Sequence, residues 1–92
     1  MTGHQRRFFL VERYIPSISS STVESAARRL AETTDTSARH LITLLVASEE
    51  TCLSLFEASD LGAVEMANAR AHFQLDRIVE VEPFPLPIAG EE

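Results

Sequence analysis

The sequence has no lysine, one cysteine, three glycines and four prolines among its 92 residues. Without lysine every formal cation is an arginine, and eight arginines against fourteen Asp and Glu leave a net charge of −6. Binding nucleic-acid phosphates or an anionic membrane needs a basic surface, so neither partner is expected. The lone Cys52 excludes an intramolecular disulfide and points to a reducing compartment. Three glycines supply no Gly-rich phosphate loop. No stretch approaches the roughly 18–20 apolar residues of a membrane span. The apolar run Phe8 to Val11 is too short for a signal-peptide core and is stopped by Glu12 and Arg13. The expected location is the cytoplasm. No His-x-x-x-His or Cys-x-x-Cys spacing occurs, and no Ser–His–Asp signature is discernible.

What is present reads as one α+β domain. The expected division is a leader over 1–6, a domain over 7–84 and a Pro-rich acidic tail over 85–92. Residues Arg7 to Ile15 are rich in β formers and predict a strand, ended by Pro16. Ser21-Thr22-Val23-Glu24 fits a capping box, and Val23, Ala26, Ala27, Leu30 and Ala31 follow as one apolar stripe. Arg39 to Val46 and Cys52 to Glu57 predict a hairpin closed by a polar turn. Ser59 or Asp60 caps a second helix with the stripe Leu61, Val64, Ala67 or Asn68, and Ala71. Arg77 to Phe84 predicts a last strand. The order strand, helix, strand, strand, helix, strand specifies a ferredoxin-like βαββαβ sandwich: a four-stranded antiparallel sheet with two helices on one face.

A sheet covered on one face only should alternate apolar and polar residues. These strands are apolar on both sides: Phe8 and Leu10 oppose Phe9 and Val11, and Leu53 and Leu55 oppose Cys52 and Phe56. A small domain buries only about 60–65% of its unfolded surface, so a partner subunit would add needed burial. A homodimer through the sheet face away from the helices is therefore expected.

Three segments suggest a family. Phe9-Leu10-Val11-Glu12-Arg13-Tyr14-Ile15-Pro16 looks like an LVERYxP signature. Glu50 to Ala58 looks like an xxxCxxLFEAP strand, with Ser59 where proline often stands. Ala63-Val64, Asn68 to Phe73 and Asp76 to Val81 look like a closing AV…N.RAGxPxDRIVEV segment. Over roughly residues 8–82 the chain resembles the small bacterial proteins of unknown function grouped with an actinobacterial nickel-binding protein. The resemblance implies a ferredoxin-like dimer and raises nickel as a ligand; it carries over no catalytic residue. His72 stands where glycine is common and Gln74 where proline is common.

The topology brings Glu12, Tyr14, Cys52, Arg77 and Glu80 towards one sheet edge, with His72 near the end of the second helix. Imidazole, thiolate and carboxylate suit a borderline ion, Ni²⁺ or Zn²⁺, and the ligand set to test is His72, His40, Cys52 and Glu12. His4, in the leader, is a further adventitious ligand. Against this, Cys52 also reads as a small buried hydrophobe, and Glu12 as a structural ion pair with Arg13 or Arg77. The leading expectation is a non-enzymatic small binding protein for a divalent transition metal. The alternative is a dimeric isomerase, cyclase or monooxygenase acting on a small apolar ligand. Its cavity would be lined by Phe8, Leu10, Leu53 and Leu55 or their opposite-face neighbours, with Glu12, Tyr14 or His40 orienting the ligand.

Overall fold

The computed structural model describes residues 6–33 and 37–84; residues 1–5 of the expected leader over 1–6, His4 among them, and the expected tail over 85–92 lie outside them. The elements are β1 (Arg7–Tyr14), α1 (Ser20–Thr33), β2 (Ala38–Val46), a 3-10 turn (Ala47–Glu49), β3 (Thr51–Ala58), α2 (Leu61–Arg70) and β4 (Arg77–Val81). The four strands are antiparallel in the order β2-β3-β1-β4. This is the ferredoxin-like α+β arrangement that the element order predicts. Among the described residues no helix is long and apolar enough to cross a membrane.

Strand period sorts the sheet into two faces. Phe9 and Val11 of β1 stand beside Phe56 and Ser54 of β3, and all are buried. Val23, Ala26 and Leu30 of α1 and Val64, Ala67 and Ala71 of α2 close over them as the core. Ala27 and Ala31, placed in the first stripe by spacing, are only partly covered or exposed, and Leu61 is 40% exposed.

Three local features differ from the expectation. The first helix is entered two residues early. Ser19, not Ser21, accepts from the Thr22 N–H at 3.3 Å, and Glu24 instead pairs with Arg28 one turn on at 3.3 Å. A run of serines offers several caps, and position relative to the buried stripe selects one. The last strand ends at Val81 rather than Phe84, since Pro83 cannot donate to a ladder. The third feature is a bulge in β2 between His40 and Ile42. The extra residue, Leu41, reverses the parity of the strand. Ala38 and His40 before it, and Thr43 and Leu45 after it, share the helix-side rows of Ala58, Phe56, Ser54 and Cys52.

The C-terminus of α2 explains the unusual His72. Its N–H bonds to the Ala69 carbonyl at 3.1 Å, and the Phe73 N–H bonds to the Asn68 carbonyl at 3.0 Å. These two bonds form a Schellman cap, whose residue after the helix takes the left-handed conformation that glycine adopts most readily. His72 holds φ = 55° there.

Candidate functional site

On the helix side of β1, the residue after Phe9 and Val11 in the period-2 row is Arg13. It is fully buried, with 0% of its surface exposed. No carboxylate forms an ion pair with it among the described residues. Neutral oxygens satisfy it instead. Nε donates to the Gln74 carbonyl at 2.8 Å, one terminal nitrogen donates to Ser54 Oγ at 2.8 Å, and the other to Asn68 Oδ1 in a short contact. The guanidinium carbon lies 3.7 Å from the centroid of the Phe73 ring, a cation–π arrangement. Asn68 is itself anchored, donating through Nδ2 to the Val64 carbonyl at 2.8 Å.

The network continues across the sheet. Ser54 Oγ lies 2.8 Å from Thr43 Oγ1, which lies 2.6 Å from His40 Nε2. The imidazole also packs on Phe56 with ring centroids 5.4 Å apart. No buried side-chain nitrogen or oxygen among the described residues lacks a partner. Such a network specifies one arrangement of β1, β2, β3 and α2, because every missing bond would leave a polar group in a low dielectric.

Burial sets its electrostatics. It pushes the Arg13 guanidinium down to about 10, against the Cys52 and Asp76 side chains that favour its charge. Burial raises the Cys52 thiol, and the nearby Arg13 charge pulls it back. Burial also lowers the His40 imidazole, helped by the Arg13 charge and opposed by a hydrogen bond to the Ile42 backbone.

The four candidate metal ligands do not converge. Glu12 projects from the opposite side of β1 to Arg13 and pairs with Arg77 at 3.6 Å. Cys52 is buried beside Arg13. His40 lies four β3 rows away, opposite Phe56, and is committed to Thr43. His72 is exposed at the end of α2. Among the described residues no group of three or more His, Cys, Asp or Glu side chains could hold a metal ion. The described residues therefore do not assemble a Ni²⁺ or Zn²⁺ site within one chain.

The groups proposed for a catalytic cavity are also differently placed. Phe8, Leu10, Leu53, Leu55 and Glu12 all belong to the sheet face away from the helices. Tyr14 is 54% exposed and donates to Glu50 Oε1 at 3.1 Å. The other oxygen of Glu50 accepts from the Ser17 N–H at 2.7 Å, so this carboxylate fastens the chain leaving β1. Glu80 is not at the Glu12 end of the sheet: it stands opposite Phe9 and takes two bonds from Arg7, at 3.0 and 3.1 Å.

Sequence reading missed the part played by Arg13, although the signal was available. Phe9, Val11 and Arg13 share strand parity, and Asn68 occupies a stripe position on α2. Comparison with protein-family models, curated proteins and solved structures finds no match to the chain. Residues from three separate stretches of the chain meet at one point of the fold: Arg13 from β1, Cys52 and Ser54 from β3, Asn68 and Phe73 from α2 and the residues just after it.

Proposed function

We propose that the chain is a small non-enzymatic binding domain that works as a homodimer, joined through the sheet face away from the helices. The observation that supports this reading is the composition of that face. Ile42 of β2, Leu55 of β3, Leu10 of β1 and Val79 of β4 form one apolar row across all four strands, flanked by Leu44 and Leu53 on one side and by Phe8 and Val81 on the other. Ile42 is 48% and Leu44 50% exposed in the single chain. A contiguous apolar patch of this kind marks an interaction surface.

The rim favours a second copy as the occupant. Arg39 pairs with Glu57 at one end of the β2 edge, and Arg77 with Glu12 at the diagonally opposite corner on β4. Paired charges at opposite corners around an apolar centre suit the self-complementary contact of a two-fold dimer. Burial of those eight side chains would contribute several kcal/mol of association, at about 25 cal/mol per Å² of apolar surface removed from water.

Light scattering on the purified full chain at micromolar concentration tests the assembly. A mass near twice 10.2 kDa is expected, and a monomer mass would overturn it. Among the described residues the metal aspect of the binding reading would need donors from both subunits. Glu12, on the proposed interface, is the one candidate ligand that such a dimer would bring to its partner. Equilibrium dialysis of tag-free protein with Ni²⁺ and Zn²⁺ tests that aspect. Dissociation constants weaker than about 1 mM for both ions, roughly 4 kcal/mol of binding, would remove it.

A further inference from the structure

A guanidinium sealed between a sheet and a helix usually meets a carboxylate, because neutral acceptors recover only part of the hydration it loses. Arg13 forms no ion pair with one among the described residues, the Asp76 carboxylate acting on it only at longer range. Immediately outside its ring of acceptors lies a cavity of about 300 Å³, lined by Glu65, Asn68, Ala69, Phe73, Gln74 and Leu75. Arg13 sits one side chain behind the wall. The wall at that point consists of Asn68, Phe73 and Gln74, three residues that contact the guanidinium.

We propose that this cavity is a binding site for a small monocarboxylate with a short apolar body, whose carboxylate takes the place of the Gln74 carbonyl on Arg13. This deepens the reading of the chain as a binding domain and does not depend on the dimer. Three observations define the ligand. First, the position to be filled is the guanidinium Nε–H now held by the Gln74 carbonyl, a charged donor that a carboxylate oxygen accepts more strongly than a neutral carbonyl does. Second, the wall beyond it is formed by Ala69, the Phe73 ring and Leu75, so the rest of the ligand should be apolar and small. Third, Glu65 stands on the same wall and the chain carries a net charge of −6. Both disfavour a second negative charge, which selects a monoanion over phosphate or a dicarboxylate.

The Gln74 carbonyl is the acceptor that can yield. Ser54 and Asn68 are buried and bonded further into the core, whereas Gln74 is exposed in the connection between α2 and β4. Its displaced carbonyl would face water. Burial lowers the guanidinium's affinity for its proton, and a bound anion would reverse that cost, so ligand binding and the charged state of Arg13 favour each other.

The test is a titration of the full chain with sodium butyrate, sodium benzoate and inorganic phosphate at constant ionic strength. Thermal unfolding and the NMR signal of the Arg13 Nε–H are followed together. Expected are a saturable rise in melting temperature with the two carboxylates, a shift of the Arg13 Nε–H resonance over the same range, and neither response to phosphate. Ala69→Phe, at an exposed helix position, should fold and lose both responses by filling the cavity. Arg13→Lys should weaken binding at least tenfold if it folds; Ala69→Phe keeps the test decisive if it does not. Failure of butyrate and benzoate to saturate below about 50 mM, an equal response to phosphate, or unchanged binding by Ala69→Phe would overturn the site. The oligomeric mass is a separate readout, so failure here leaves the dimer standing and failure of the dimer leaves this site standing.

Discussion

Arg13 Nε donates to the Gln74 carbonyl at 2.8 Å, which ties the centre of the sheet to the chain leaving α2. The same guanidinium reaches Asn68 on α2 and Ser54 on β3, so one side chain joins three elements. Asn68→Leu keeps the volume and removes the acceptor, leaving a buried cation short of one partner. Urea denaturation should show a loss of about 2–4 kcal/mol. Arg13→Met in that background should recover part of the loss, because the orphaned charge is gone. The coupling between the two substitutions should exceed about 1 kcal/mol. Strictly additive effects would mean that Arg13 does not hold α2 to the sheet.

His72 supplies a test with the opposite sign. It holds φ = 55° at the Schellman position, where a side chain is strained and glycine is not. Its side chain is exposed, so little packing is lost on removing it. His72→Gly should therefore stabilise the protein by about 0.5–1 kcal/mol, after the greater freedom of glycine in the unfolded chain is counted against it. An unchanged or lower urea midpoint would contradict the cap geometry.

These two sites show how much could be read in advance. The element order and the centres of both helix stripes were legible, because strand and helix periods are local signals carried by residues such as Phe9, Val11, Val23 and Val64, while Ala27, Ala31 and Leu61 fall outside the buried stripes. The departure at His72 was legible as a departure; its backbone conformation was not. The bulge at Leu41 was hidden, since no glycine or proline marks it and every neighbour is an acceptable β former. In the sequence Arg13 reads only as one of two candidate structural ion-pair partners of Glu12, and the structure gives that pair to Arg77. The two adjacent residues point to opposite faces, and the parity that Arg13 shares with buried Phe9 and Val11 puts the arginine on the core side. The Gln74 contact uses a main-chain carbonyl, which any residue type supplies and which therefore leaves no trace in the sequence.

The open sheet face gives a prediction in which folding and assembly separate. Leu44 is half exposed in the single chain, so Leu44→Glu should change the stability of a lone subunit by less than about 1 kcal/mol. In a sheet-to-sheet dimer it would place a carboxylate in an apolar contact. The expected outcome is a folded protein of monomeric mass by light scattering, with an unchanged far-ultraviolet circular dichroism spectrum. A Leu44→Glu variant that remains dimeric would place the interface elsewhere.

His40 makes the stability of the fold depend on pH in a defined direction. Its imidazole is half buried, packed on Phe56, bonded to Thr43 and exposed to the positive field of Arg13, and burial followed by that field lowers its pKa from the ordinary 6.5. The unfolded chain therefore binds a proton at a pH where the folded chain does not. Stability rises with pH wherever the unfolded state holds more protons. His40 thus destabilises the fold as pH falls below about 6.5, and its effect levels off once pH has dropped past the lowered folded value. His40→Gln keeps a polar group near Thr43 and removes the titration. Urea midpoints measured from pH 8 to pH 5 should decline more steeply in the natural protein than in the variant, with the difference opening below about pH 6.5. The Arg7–Glu80 pair is common to both proteins, so its own acid loss cancels in the comparison. Parallel curves over this range would mean that the buried chain from Arg13 through Ser54 and Thr43 does not hold His40 in its neutral form.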